Sequence, residues 1–210
     1  MDFNKTTKNL QKNRMNVRVA ENKAQALSIL AELLPEGCSV THGGTVSLQE
    51  IGGIELLKSG KYTYLDRTAA ADPREIYVKG YDADVFLTSA NAITEDGELY
   101  NVDGNCNRIS AIAYGPRKVI VIASENKIVP TLEDAYRRVK EIAAPKNATR
   151  LNCDTYCAKA GKCVSLLKEN PRMSDGCDSP GRICRHYLIS GPQRDPERVT
   201  VILVKESLGF

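Results

Sequence analysis

The chain carries little net charge, no apolar run of membrane length and few histidines, and each shortage closes a class of function. Its 29 Lys and Arg stand against 26 Asp and Glu. The small excess is spread out apart from a mildly basic start at Lys5, Lys8, Lys12, Arg14 and Arg18. That distribution describes an ordinary solvated surface, so nucleic acid is not an expected partner. No stretch approaches the roughly 18 apolar residues of a membrane span, and the polar opening "MDFNKTTKNLQKNR" lacks the apolar centre of a secretion signal. The expectation is a cytoplasmic protein without a membrane partner. With His42 and His186 as the only histidines, no Ser/His/Asp pattern can be drawn. Paired C-x2-C knuckles and the C-x2-C-x2-C run of bacterial ferredoxins are also missing.

What remains is a regular alternation of helical and strand patterns. "NKAQALSILAELL" places Ala26, Leu27, Leu30, Leu33 and Leu34 at three-to-four spacing, a helix with one buried face closed by Pro35 and Gly37. A strand "CSVTH" follows, then glycines opening into a second helix in "GGTVSLQEIGGIELLKSG", then a strand "KYTYLD". Asp72, Pro73 and Glu75 form a helix start, with Glu75 expected to reach back, before a strand from Asp84 to Ser89. "RKVIVIAS" reads as a fully buried strand, and "TLEDAYRRVKEIAAP" as a helix capped by Thr131 and stopped at Pro145. Strands separated by helices imply an α/β fold, a mainly parallel Rossmann-like sheet flanked by helices on both faces. Residues 146–197 break the pattern, with one short helical stretch at "KCVSLLKEN", and "RVTVILVKESLGF" returns to the sheet. Residues 1–210 therefore read as a single domain, with 146–197 a cysteine-rich insertion before the last strand.

Two segments carry candidate chemistry. "THGGTVS" opens a helix just after a strand, where small residues let an anion approach helical amides, so His42, Gly43, Gly44 and Thr45 are candidate ligand-binding residues. A tight turn without a ligand explains the same glycines, a structural role explains the lone histidine, and the Lys-Ser/Thr ending of a P-loop is missing. In "ITEDGELYNVDGNCNR", Ile93 and Thr94 enter a hairpin, Asp96-Gly97 turns it, and Leu99, Tyr100 and Val102 leave it. Asn91, Asp103, Asn105 and Arg108 are candidate binding residues, with Arg108 suited to a bidentate pair with a carboxylate. Glu95, Asp96 and Arg108 are the catalytic candidates. A base role for either acid requires burial to raise its pKa, and an exposed hairpin tip would leave it ordinary. The alternative is that Asn and Asp here only fix turns.

The run "TSANAITEDGELYNVDGNCNRISAIAYGPRKVIVIASENKIV" resembles the signature of the LUD (lactate utilization domain) family. The glycine loop "THGGTVSLQEIGG" and the cysteine-rich C-terminal part are similar to its compact single-domain members. The resemblance implies a fold like that of the ribose-phosphate isomerase and CoA-transferase group, and a link to lactate or organic-acid utilization. It implies no reaction for compact members. The Ser-Glu-Asn-Gly run that carries the glutamate of related CoA transferases is absent, because "SEN" at 124–126 continues into Lys127.

Cys153, Cys157, Cys163, Cys177 and Cys184 are separated by three, five, thirteen and six residues. Buried free thiols belong on apolar helix and strand faces, which this segment mostly lacks, so a zinc or iron-sulfur site is the leading reading, with His186 as a substitute ligand. It would need at least four sulfurs about 2.3 Å from one centre. Unliganded thiols and a redox disulfide remain alternatives, the last weakened by the reducing cytosol. Two principal functions follow: binding of a small anionic metabolite or cofactor at the C-terminal edge of the sheet, or an iron-sulfur or zinc module for electron transfer or assembly. Homo-oligomerisation stays open.

Overall fold

A computed structural model describes residues 2–210. Its strands are β1 (Asn16–Ala20), β2 (Ser39–His42), β3 (Thr63–Tyr64), β4 (Val85–Thr88), β5 (Ala92–Thr94), β6 (Leu99–Asp103), β7 (Lys118–Ser124), β8 (Ile128–Val129), β9 (His186–Ser190) and β10 (Val199–Val204). The α-helices are α1 (Phe3–Lys12), α2 (Lys23–Leu33), α3 (Val46–Glu50), α4 (Gly53–Leu57), α5 (Pro73–Lys79), α6 (Asn107–Ala113), α7 (Leu132–Arg138), α8 (Ala144–Arg150) and α9 (Tyr156–Ala160).

Six strands form a parallel sheet in the order β1-β10-β7-β4-β2-β3. Its central strands β10, β7 and β4 are continuous apolar runs because both faces are covered. Side chains alternate across the sheet with a period of two. Ile120, Ile122, Ile202 and Val204 pack with Ala26, Leu30 and Leu48 of the helices on one face. Val119, Val121, Val201 and Leu203 pack with Leu10 of α1 and with Ile93 and Leu99 of the hairpin on the other. Each such buried aliphatic side chain contributes roughly 1.5–3 kcal/mol through burial.

A second, four-stranded sheet runs β8-β5-β6-β9, with the β5–β6 and β6–β9 pairs antiparallel. The expected hairpin is its centre. Gly97 turns it at φ +82, and a Cβ there would lie 2.5 Å from the Asn9 backbone, so both the left-handed turn and the close approach of α1 call for glycine. The far face of this sheet packs on the helical stretch from α7 to α8, with Tyr100, Val102, Val129, Ala135, Val139 and Cys184 between them.

The structure redraws several expected elements. The second helix is split into α3 and α4 at Gly52, which has φ +82. The strand expected over "KYTYLD" pairs only at Thr63–Tyr64. Asp72 caps α5 by accepting from the Arg74 amide, rather than in a reciprocal box with Glu75. The helix beginning at Thr131, whose capping box with Asp134 is present, continues through Pro145. A π-helical turn at Val139–Ala143 makes this feasible, because the wider turn gives the ring room and Pro145 falls in the first turn of α8, where no amide donor is needed. Residues 146–197 are not only loop: they hold most of α8, α9 and β9, which pairs along all five residues of β6. No helix among the described residues is long and apolar enough to cross a membrane.

Candidate functional site

A cleft lined by convergent polar groups lies at the carboxyl edge of the parallel sheet, between the loops that follow β2 and β4, with a volume of about 410 Å³. The chain leaves β2 toward the edge strand β3, and leaves β4 toward the second sheet and β7. Neighbouring strands whose exits diverge in this way open a crevice beyond their carboxyl ends. Gly44, Thr45, Asn91, Asp103, Asn105 and Arg108 all line this cleft, so the glycine loop and the hairpin segment meet there. Gly43 and His42 line a small adjoining hollow of about 10 Å³ with Thr41 and Phe86.

One wall is organised by Arg108, which is 8% exposed. Asp103 Oδ2 accepts from the amides of Arg108 (2.8 Å) and Ile109 (2.9 Å) and starts α6, while its Oδ1 accepts from Arg108 Nε at 3.1 Å. Nη1 donates to the Ser89 carbonyl (3.0 Å) and Asn101 Oδ1 (2.6 Å). Nη2 donates to Asn91 Oδ1 (2.7 Å) and the Val102 carbonyl (2.9 Å). A guanidinium has five N–H donors, and all five are taken. The expected bidentate pair between Arg108 and a substrate carboxylate therefore has no free donor, and Arg108 instead rivets the β4 exit to β6 and α6. Gly43 serves the same rivet: a Cβ there would lie 2.8 Å from Arg108 Cγ and Cδ. Asn91 Oδ1 also accepts from the Val102 amide at 2.9 Å, so Asn91 too is largely scaffold.

Glu95 and Asp96, the candidate bases, are not in the cleft. They sit at the hairpin tip under α1, where Glu95 accepts from the Asp2 amide (2.9 Å) and Lys5 Nζ (3.2 Å). The Asp2 amide and then Lys5 hold the Glu95 carboxyl below its usual range, the reverse of what a base near neutrality needs. Asn13 Nδ2 donates to the Asp96 and Gly97 carbonyls, fixing the tip to α1. His42 bonds the Gly43 carbonyl through Nδ1 (2.6 Å) and the Tyr64 hydroxyl through Nε2 (2.8 Å). Burial pushes its pKa down and keeps the ring neutral. Thr45 accepts from the Leu48 amide as the cap of α3.

Beside Arg108, across Ser89, lies the residue the motifs missed. Lys127 follows β7, is 3% exposed and lines the cleft. Its Nζ donates to Ser47 Oγ (3.0 Å) and Ser89 Oγ (2.9 Å), and no carboxylate lies within ion-pair reach among the described residues. Burial, with Arg138 and Arg108 adding like charge, pushes its pKa down to about 7. The sequence signal was slight: a lysine at the carboxyl end of a core strand, directly before the apolar pair Ile128–Val129. Arg67 and Arg150 complete the lining cations. Arg67 donates Nη1 to the His42 carbonyl and lies over the Tyr77 ring, and Arg150 bonds the Asn147 side chain, so both keep free donors. Asp103 is the only acidic side chain in the lining among the described residues, and it is committed to Arg108.

The expectation of a zinc or iron-sulfur site at the cysteines gains no support from their placement. Among the described residues, no three His, Cys, Asp or Glu side chains are placed to share a metal ion. Cys157, Cys163 and Cys184 are buried, and Cys153 and Cys177 are partly exposed. Burial pushes the Cys157 thiol up, and nearby Cys184, Cys163 and Cys177 push the same way, so these four are neighbours without converging. Three of their sulfurs take separate partners: Thr155 for Cys157, Ser165 for Cys163, and Arg182 with Lys140 for Cys184. His186 pairs with Asp103 as the first residue of β9.

Comparison with curated proteins finds no match to the chain. Among solved structures it is similar to a DUF162 family protein from Deinococcus radiodurans, at 15% identity and a TM-score of 0.55, covering 95% of this chain and 94% of that one. It is also similar over half its length to eIF2B delta from Chaetomium thermophilum, at 20% identity and a TM-score of 0.35, covering 50% of this chain and 46% of that one. The first likeness extends to nearly every element described above and establishes the α/β fold. The profile of the LUD domain matches residues 3–204, which takes in both walls of the cleft and the cysteine-rich segment, and the chain belongs to the LUD domain family.

Proposed function

We propose that the cleft binds a small anionic metabolite bearing a carboxylate or phosphate, and that the protein serves lactate or related organic-acid utilization, the context the family suggests. The observation that carries this reading is the charge of the lining. Arg67 and Arg150 face the space, while the one acidic side chain in the lining among the described residues, Asp103, is consumed by Arg108. Such a wall repels cations and attracts anions, and a guanidinium with free donors can take a carboxylate or phosphate through paired hydrogen bonds. The kinship with the ribose-phosphate isomerase and CoA-transferase group that the family resemblance implies agrees with an anionic ligand, since a sugar phosphate and coenzyme A are both anions.

Calorimetric titration with lactate, pyruvate, 2-oxoglutarate and inorganic phosphate tests the reading. At least one should bind, and Arg67→Ala or Arg150→Ala should weaken that binding about tenfold or more, corresponding to about 1.4 kcal/mol. Affinity unchanged in both variants would remove the cationic wall from the site.

A further inference from the structure

Lys127 and Lys140 are both buried lysines, but only Lys127 faces a space a ligand can enter. Lys140 directs its Nζ at the Asp175 carbonyl and the Cys184 sulfur, between the rings of Tyr136 and Tyr187, away from the cleft. Lys127 Nζ touches only the hydroxyls of Ser47 and Ser89. A structural lysine at such depth is normally paired with a carboxylate, because an isolated buried ammonium is expensive. A neutral amine avoids that cost: its two hydrogens serve the two hydroxyls and its lone pair is left over. Arg67 and Arg150 stand on the same cleft with free donors. The site thus offers an anion-binding element and an unprotonated amine on one small space.

We propose that Lys127 is a covalent site, whose amine condenses with the ketone carbon of a 2-oxo acid held in the cleft through its carboxylate. This rests on the anion-binding reading above and adds a carbonyl to the ligand. The Lys127 lone pair forms the N–C bond as the C=O π electrons move to oxygen, and a proton passes from nitrogen to that oxygen. Ser89 Oγ, 2.9 Å from Nζ, is placed to relay this proton. The resulting carbinolamine loses its hydroxyl as water while C=N forms. Amine and ketone give imine and water, with no oxidant or reductant. A lysine titrating at about 7 is half neutral at pH 7, a neutral fraction about 10³-fold that of a lysine at ~10.4.

The test is reductive trapping. The full chain is incubated with pyruvate or 2-oxoglutarate and cyanoborohydride near pH 7, followed by intact mass and peptide mapping, with calorimetry of the same ligands in parallel. The expected result is one reduced adduct, enriched at least about tenfold at Lys127 over any exposed lysine, suppressed by excess lactate, and absent in folded Lys127→Arg and Lys127→Met. Ser89→Ala should slow trapping with ligand affinity kept. A 2-oxo acid that binds in the cleft but is trapped nowhere, or only at exposed lysines, overturns the covalent site and leaves the anion-binding reading standing. Failure of every anion to bind overturns both.

Discussion

The cleft buries two neighbouring cations on either side of Ser89, and it does so in opposite ways. Around Arg108, a carboxylate, two asparagine side chains and two carbonyls take all five donors. Around Lys127 there are two hydroxyls and, among the described residues, no carboxylate within ion-pair reach. The first arrangement keeps the charge and turns it into rigidity. The second makes the charge costly, and burial pushes the amine pKa down to about 7. The cation densest in polar partners is therefore the scaffold, and the one with fewer partners is the group available for chemistry.

The largest effect expected from disturbing this contrast is on the Arg108 side. Arg108→Ala removes five hydrogen bonds and leaves Asp103 buried beside an empty space, so it should destabilise the fold by about 3–5 kcal/mol, read by denaturant unfolding. Arg108→Lys should not rescue it, since an ammonium supplies three donors from a point rather than five from a planar fork. A variant as stable as wild type would show that the wall does not depend on the rivet.

Lys127→Met should act with the opposite sign and with a pH dependence. In the unfolded chain the lysine keeps its proton up to about 10.4, and in the folded protein only up to about 7. Between those values unfolding takes up a proton, so the folded state gains stability as pH rises through that window. Below about 7 the folded protein carries the full cost of the buried ammonium. The stability of Lys127→Met relative to wild type should therefore be most favourable in mild acid and decline by roughly 2 to 3 kcal/mol between pH 7 and 9. A difference flat with pH would place the lysine's titration outside this range.

The smallest effect belongs to the hairpin tip. The Glu95 carboxyl is held below its usual range, so its contribution is present above the ordinary carboxylate pKa and lost as pH falls through the lowered value. Glu95→Gln should melt slightly earlier than wild type at neutral pH, converge with it in acid, and bind cleft ligands unchanged. Lost ligand binding in a folded variant would return the tip to the site.

Where local pattern decides structure, the sequence was readable. The apolar runs Lys118–Ser124 and Val199–Val204 could only be interior parallel strands, and Asp96-Gly97 between alternating residues could only turn a hairpin. The meeting of Gly44, Thr45, Asn91 and Asn105 on one cleft also follows from topology, because exits from neighbouring parallel strands share the carboxyl edge. Less legible was whatever depends on who the neighbour is. The donors of Arg108 look free in a string of letters, and only the folded positions of Ser89, Asn91, Asn101 and Val102 show them taken. Lys127 looked like any surface lysine, because burial without a counter-charge leaves no motif. The edge strand β9 was hidden inside a segment of glycine, proline and cysteine, since its pairing is dictated by β6 across the sheet. Pro145 misled for the same reason: a π-helical turn upstream set where its missing donor fell.

Titration of Lys127 itself reaches furthest into this contrast. With lysine labelled with carbon-13 at Cε, the Lys127 resonance is identified by its absence in folded Lys127→Arg and followed against pH. Its midpoint should fall at about 7 while the exposed lysines titrate near ~10.4. A Lys127 midpoint among those of the exposed lysines would mean a lasting ammonium in the cleft, and neither the contrast between the two buried cations nor the covalent chemistry assigned to this residue would stand.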